Sequence, residues 1–328
     1  MDRVNIVGGS GFIGTRLSKR LKESGIDFKL IDKKISFKFP ELTSIADVRN
    51  LEDLKNTIDG KLIINLAAEH KDDVTPKSLY NEVNVEGARR ICEVAEINNV
   101  NKIIFTSSVA VYGFAEIGTD EKGEINYYND YGKTKYDAEL VYREWLAKDP
   151  GKRSLVIVRP TVVFGEQNRG NVYNLFKQIA SGKFLMIGNG LNRKSMAYVE
   201  NVAAFLEFSL NFGPGLHVYN YVDKPDFDMN TLVSNVRKSL GKKSNINIRI
   251  PYLIGFFIGC LFDFFGSLSG RRFSVSSIRV KKFCTDSSYG TSLEKSGFIR
   301  PFSLEEGLSM TIKYEFLEKK DGEVFYSE

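Results

Sequence analysis

Cysteine is scarce in this chain: Cys92, Cys260 and Cys284 are the only three in 328 residues, far apart and without a CxxC spacing. So odd and scattered a set excludes a disulfide framework and a thiolate metal site, and the three read as buried thiols in a reducing compartment. No metal site of any kind is read. A basic n-region, apolar h-region and cleavage site are also missing, because Met1 leads directly into a strand-like run at Val4 to Val7. The expected location is therefore the cytoplasm. Nor does charge of one sign dominate: 46 Lys and Arg against 41 Asp and Glu leave a net +5, too little to imply nucleic acid without a clustered basic face.

A Pro/Gly/Ser-rich linker, an internal repeat and a low-complexity tract are absent as well, although the chain is longer than one typical domain. Two interlocked lobes with substantial cores are expected. Short apolar runs at Val4 to Val7, Phe28 to Ile31, Leu62 to Leu66, Ile103 to Phe105 and Leu155 to Val158 read as buried strands. Segments of helical period separate them, after Gly11, from Leu51 behind an Asn50 N-cap, from Ser78 to Ile97 and from Gly132 to Leu146. The pattern predicts an α/β fold: a Rossmann-type, doubly wound parallel sheet with a smaller, interlocked C-terminal α/β substrate lobe. The first lobe is read as 1–167, with 195–225 returning to it, and the second mainly as 168–328.

The first strand ends in Gly8-Gly9-Ser10-Gly11-Phe12-Ile13-Gly14, where Gly8, Gly11 and Gly14 give a GxxGxxG spacing before an amphipathic helix. Glycine suits a loop that turns sharply and lets backbone approach a pyrophosphate, with the helix N-terminus supplying N–H donors. Asp32 at the end of the next strand would accept both adenosine ribose hydroxyls and repel a 2′-phosphate, which favours NAD over NADP, although Lys33 and Lys34 weigh the other way.

After the fifth strand comes Thr106-Ser107-Ser108-Val109-Ala110-Val111-Tyr112-Gly113, and later Tyr131-Gly132-Lys133-Thr134-Lys135. These segments resemble the SSxxVYG and YxxxK motifs of the extended short-chain dehydrogenases/reductases, the NAD-dependent epimerase/dehydratase group. The resemblance implies that Ser108, Tyr131 and Lys135 act together. It also implies that Asp47-Val48, closing the third strand, contacts adenine and that Leu66-Ala67-Ala68 is the small-residue turn beside the cofactor. Each is equally readable as a plain strand end. Tyr131 and Lys135, four apart on a helix, share one face. A tyrosine of ordinary pKa about 10 needs roughly 4 kcal/mol of preference for the phenolate to act as a base near neutrality. Lys135 and the oxidised nicotinamide ring are expected to provide it, with Ser108 bonding the substrate oxygen.

Dehydratases of this group carry Thr-Asp-Glu where this chain has Ser108-Val109-Ala110, so elimination lacks its acid and base. Oxidation at a sugar C4 followed by return of the hydride remains, a redox-neutral epimerisation through a 4-keto sugar. A UDP-N-acetylglucosamine or UDP-glucose 4-epimerase and a 4-keto-sugar reductase are the alternatives. Arg159-Pro160 to Gly165 resembles the RPxxVYG segment, and Gly188-Asn189-Gly190, Arg193 and Tyr198 to Val202 resemble GxGxxxR…YVxDVA, which implies that Arg193 meets the substrate diphosphate. Asn201 departs from the usual Asp. Val162 replaces an Asn of the UDP-galactose epimerases, so their nucleotide contacts do not carry over directly. Asn171 and Asn174, before the next helix, are candidate substitutes or simply loop and cap residues.

The stretch from Ile250 to Gly270 is apolar nearly all round with Asp263 its only charge, and Arg271, Arg272, Arg279, Lys281 and Lys282 follow it. It reads as a helix buried in the substrate lobe, a helix lying at a membrane interface, or a span. Ala67 to Val74, Asn168 to Asn174, Val218 to Pro225 and Val275 to Lys282 are similar to the bacterial N-acetylglucosaminyl-diphospho-undecaprenol 4-epimerases of O-antigen pathways. That resemblance implies interconversion of GlcNAc and GalNAc on undecaprenyl diphosphate at the inner membrane face by a peripheral enzyme. It adds Arg279 to the substrate contacts and His70 as a candidate for the sugar site or a plain loop residue. A homodimer through the YxxxK helix and its neighbour is implied too.

Overall fold

The computed structural model describes residues 2–71, 74–244, 248–269, 276–318 and 322–326. In the first half, the strands are β1 (Val4–Val7), β2 (Phe28–Asp32), β3 (Thr43–Ile45), β4 (Leu62–Asn65), β5 (Lys102–Thr106) and β6 (Ser154–Pro160). Between them run α1 (Phe12–Glu23), α2 (Leu51–Thr57), α3 (Ser78–Tyr80), α4 (Glu86–Ile97) and α5 (Asp130–Ala147). The second half begins with β7 (Val162–Phe164), α6 (Asn171–Ala180), β8 (Met186–Ile187), β9 (Arg193–Lys194), β10 (Met196–Tyr198) and α7 (Val199–Phe208). Then come β11 (Gly215–Tyr221), β12 (Phe227–Asp228), α8 (Met229–Ser239), β13 (Arg249–Ile250), α9 (Tyr252–Ser269), α10 (Ser277–Cys284) and α11 (Leu304–Phe316).

Seven strands form one parallel sheet in the order β11-β6-β5-β4-β1-β2-β3. Both faces are covered, which is why these strands read as unbroken apolar runs rather than alternating ones. Ile6, Leu30, Ile64, Ile104 and Val156 meet Leu17 and Leu21 of α1 and Phe205 of α7. Val7, Ile31, Ile63, Ile103 and Leu155 face the other way, onto Ile91 of α4 and Ala138, Tyr142 and Trp145 of α5. The chain reverses its direction of travel across the sheet between β1 and β4, so the loops after these two strands flank the crevice where α/β sheets bind ligands. β6 and β11 pair in register, so 215–221 forms one edge of the main sheet. A separate core of Phe164, Phe176, Met186, Tyr198, Leu232 and Leu308 holds the second lobe.

The single helix expected from Ser78 to Ile97 is interrupted by a π turn at Asn81–Val85. The widened turn coincides with Asn84, whose amide accepts the Glu69 N–H at 2.8 Å and donates to Glu69 O and Thr134 Oγ1, each at 3.0 Å. One side chain thus ties the loop after β4 to α5.

The apolar segment forms α9, and the structure overturns its reading as a buried helix. Leu253 is 78 % exposed, Phe257 64 % and Phe264 60 %. Among its described side-chain positions the buried ones are Gly255 and Gly259, where an added Cβ would lie 2.7 Å from Ile187 Cγ2 and 2.7 Å from Ser277 N. These glycines, one turn apart, let the helix seat closely on β8 and on the start of α10 while Leu253, Ile254, Phe257, Leu261, Phe264 and Phe265 project outwards. Cys260 projects with them, so it is exposed rather than the buried thiol expected; Cys92 is buried and Cys284 half-buried. Asp263 Oδ2 accepts the Ser277 N–H at 2.9 Å and clamps the helix pair. Among the described residues no helix is long and apolar enough to cross a membrane, which removes the spanning reading. Arg271, Arg272 and Val275, like Asp72 and Asp73, lie outside the described residues.

Candidate active site

The glycine loop is closed by backbone. A Cβ on Gly8, whose φ is +78°, would stand 2.5 Å from Ala67 N, and one on Gly14 would stand 2.4 Å from Gly9 O. α1 begins at Phe12 behind Gly11 with no capping side chain and no acid in its first turn, so Phe12, Ile13 and Gly14 form an N-terminus suited to an anion. Asp32 accepts the N–H of Ser10 at 3.0 Å and of Lys34 at 3.2 Å, while burial pushes its carboxyl above the usual range against those donors. A backbone cradle, an uncapped helix and a carboxylate at the end of β2 fit a dinucleotide whose ribose hydroxyls donate to Asp32.

Leu66 bonds Val7 O at 2.8 Å, and the Ala67 N–H donates to Asn65 Oδ1 at 3.0 Å, which sets the half-buried Leu66-Ala67-Ala68 turn against Gly8. β3 ends at Ile45, two residues before Asp47, so Asp47-Val48 follows the strand rather than closing it. The Asp47 carboxylate is gripped by Arg49, with Nη2 at 2.7 Å and Nε at 3.0 Å, and that bond pulls its pKa down. Val48 is buried over Gly87, where a Cβ would be 3.1 Å from Val48 Cγ2.

Beyond β5, Ser108 caps the short turn Val109–Tyr112, its Oγ accepting the Ala110 N–H at 3.1 Å. The same hydroxyl lies near enough to the Tyr131 phenol to favour its phenolate. Asn129 caps α5 through Gly132 N at 2.9 Å, and a Cβ on Gly132 would lie 2.5 Å from Ala110 O. The glycine inside YxxxK therefore admits the close approach that unites Ser108 with Tyr131. One turn on, Lys135 is buried, its Nζ donating to Thr106 O at 2.6 Å and standing 4.6 Å from the Phe105 ring centre.

The electrostatics of the chain without its cofactor run against both charged forms. Burial pushes the Tyr131 phenol up to about 12, outweighing the Ser108 hydroxyl that favours its phenolate, and pushes Lys135 down to about 7 despite Glu139. In the cofactor-free chain burial thus disfavours both the phenolate and the ammonium, and the charge of the bound cofactor is what the pair awaits. The sign has a measurable consequence. An unfolded Lys135 holds its proton up to about 10.5, whereas the folded one loses it above about 7. Unfolding takes up a proton within that window, so cofactor-free protein gains stability as pH rises through it. Lys135→Met is expected to flatten this slope in thermal unfolding between pH 7 and 10, and unchanged slopes would refute the buried ammonium.

Two participants escaped sequence reasoning. Glu139, fully buried on α5 one turn beyond Lys135, takes Arg159 Nε at 2.8 Å and Nη2 at 2.6 Å. Arg159 Nη1 also donates to Tyr112 Oη at 2.6 Å, and that hydroxyl donates to Asn220 Oδ1 at 2.8 Å. The signal was an arginine inside an otherwise apolar strand, at the head of RPxxVYG.

The sequence pattern of the NAD dependent epimerase/dehydratase family matches residues 4–221. The chain belongs to that family. It is 49% identical over its whole length, and 99% of the relative's, to the N-acetyl-alpha-D-glucosaminyl-diphospho-ditrans,octacis-undecaprenol 4-epimerase of Escherichia coli O157:H7. The UDP-glucose 4-epimerase of Vibrio cholerae is 27% identical, with 93% of each chain covered. The solved UDP-N-acetylglucosamine 4-epimerase of Bacillus cereus superposes with TM-score 0.75 at 15% identity, over 96% of this chain and 100% of that one, a likeness of fold.

In this NAD-dependent family member the remaining candidates lie on the second lobe or on loops. Arg193 is exposed in an open cleft of about 710 Å³ with Lys224, Asp226, Asp228 and Arg300, its N–H donating to Asp286 Oδ1 at 2.7 Å. Asn171 and Asn174 sit in the first turn of α6 rather than before it, behind Gly170, which offers no side-chain cap. Arg279 is exposed on α10, and its N–H donates to the capping Ser276 Oγ at 3.3 Å. His70 is exposed, with Nδ1 3.4 Å from Ala68 O. Asn201 is buried and grips Phe302 through both its N–H and its carbonyl, fixing the approach to α11.

Proposed function

We propose that this chain is a sugar 4-epimerase that interconverts GlcNAc and GalNAc on undecaprenyl diphosphate, working peripherally at the inner membrane face in surface-polysaccharide synthesis. Near-half identity along the full length to a relative named for that activity carries the reading. The exposed apolar side chains of α9 support it, since a helix of this composition is suited to the acyl boundary of a bilayer. When bound, NAD supplies a hydride acceptor and donor.

The chain's own residues manage the proton. Tyr131 takes the proton of the C4 hydroxyl and later returns it, and Ser108 bonds the same oxygen on either sugar face. Lys135, held by Thr106 O, keeps the phenol oriented and adds positive charge beside it. Val109 and Ala110 offer neither acid nor base, which leaves the ring substituents in place.

The test is a head-to-head assay of undecaprenyl-diphospho-GlcNAc and UDP-GlcNAc with cofactor redox state followed in the same tube. Conversion of the lipid-linked sugar with no net NADH change is expected. Faster conversion of UDP-GlcNAc by the vesicle-free protein would establish a nucleotide-sugar epimerase instead, and net NAD(P)H consumption a reductase.

A further inference from the structure

A second basic feature lies against the active-site loops. Phe114, directly after the Ser108 turn, and Tyr128, just before α5, are half exposed and meet in a tilted pair with ring centres 4.8 Å apart. The two segments are held side by side, since a Cβ on Gly113 would stand 3.6 Å from Tyr127 Cα. Over these rings rest two ammonium groups from α10: Lys281 Nζ at 5.7 Å from the Phe114 centre and Lys282 Nζ at 5.0 Å from the Tyr128 centre. Each lies on an aromatic face, and among the described residues neither forms an ion pair with a carboxylate, so it is positioned while its charge is left for an anion.

The backbone that carries the lysines is fixed. Lys194 donates to Lys282 O at 2.8 Å and to Thr285 O at 2.6 Å, and Asn192 donates to Phe283 O at 2.7 Å. The other side of α10 takes α9, joined through Gly259 and the Asp263–Ser277 bond. The molecule therefore presents, in sequence, an outward apolar helix, two cations on aromatic rings, and the Ser108–Tyr131 pair.

A prenyl-diphospho-sugar has the same order: isoprenoid, two phosphates, hexose. We propose that Lys281 and Lys282, on their Phe114–Tyr128 platform, form the subsite for the diphosphate of the lipid-linked sugar, with α9 receiving the isoprenoid beyond it. The inference rests on the lipid-linked reading above and assigns that substrate's anion to α10, which also carries Arg279, rather than to Arg193 on β9 as the resemblance implies. Its chemical logic extends to turnover. Both faces of the sugar must be offered at C4 in succession, so the carrier needs an anchor that holds while the hexose turns.

The experiment uses a water-soluble, short-prenyl diphospho-GlcNAc without vesicles, alongside adsorption of the full protein to anionic phospholipid vesicles. In Lys281→Gln/Lys282→Gln, KM for the soluble substrate is expected to rise roughly tenfold or more, with kcat within about twofold. Lys281→Arg/Lys282→Arg should restore KM, which separates lost charge from lost fold. An unchanged KM with weakened vesicle adsorption would assign the lysines to lipid headgroups and overturn the subsite, as would a fall in kcat alone. A wild type inactive on the prenyl substrate would overturn the carrier assignment together with it.

Discussion

Tyr131→Phe is expected to fold, retain NAD and lose roughly two to four orders of magnitude in kcat, the range attributable to a positioned general acid–base. The substitution deletes one hydroxyl. Ser108 keeps its bond from the Ala110 N–H, and Gly132 still seats against Ala110 O, so nothing else in the site has cause to move. Because burial, with Tyr80 adding to it, pushes the phenol up to about 12, its ionisation depends on positive charge brought close to it. Stoichiometric cofactor retention with abolished C4 exchange, read by single-turnover assay, is the expected pair of results. Near-normal turnover would remove Tyr131 from the chemistry.

Arg159→Met is expected to cost about 3–5 kcal/mol of stability, because it leaves the buried Glu139 carboxylate with only the distant Arg143 Nη2, at 3.8 Å, in place of its guanidinium fork. Glu139 is fully buried and Arg159 nearly so, at 0 % and 3 % side-chain exposure, with the guanidinium fork on both carboxylate oxygens and a third bond to Tyr112. Removing both charges together is a different matter. Arg159→Met/Glu139→Leu should recover most of the loss, since replacing a buried pair by apolar side chains is often close to neutral. Denaturant titrations of both variants at fixed cofactor concentration decide it; a single variant within about 1 kcal/mol of wild type would mean the pair is screened. The double variant also removes the charge that supports the Lys135 ammonium.

Much of the fold and of the candidate site was legible in the residues because the determinants are local. An apolar run of strand length, a helix period, a GxxGxxG loop at a strand end and a YxxxK spacing on one helix face each act within a few residues. Asn50 capping α2 through Glu52 N at 3.0 Å and Asp53 N at 3.4 Å belongs to that class. So does the place of Ser108 at the end of β5.

What only the tertiary structure decided depends on partners distant along the chain. Helix α9 is apolar nearly all round, so no period marks its inner side; two glycines seated on Ile187 and Ser277 chose it, and Cys260 went to the outside with the large residues. Glu139 looked like any helix glutamate until β6 set Arg159 against it. The direction of the Tyr131 and Lys135 shifts followed from burial, which belongs to the assembled fold and to neither residue. The order of apolar helix, lysine pair and catalytic hydroxyls likewise exists only where α10 crosses Phe114 and Tyr128, more than a hundred and fifty residues back along the chain. Local patterns named the chemistry, whereas desolvation and close approach across the chain determined how strongly its charges are held and what its surface meets.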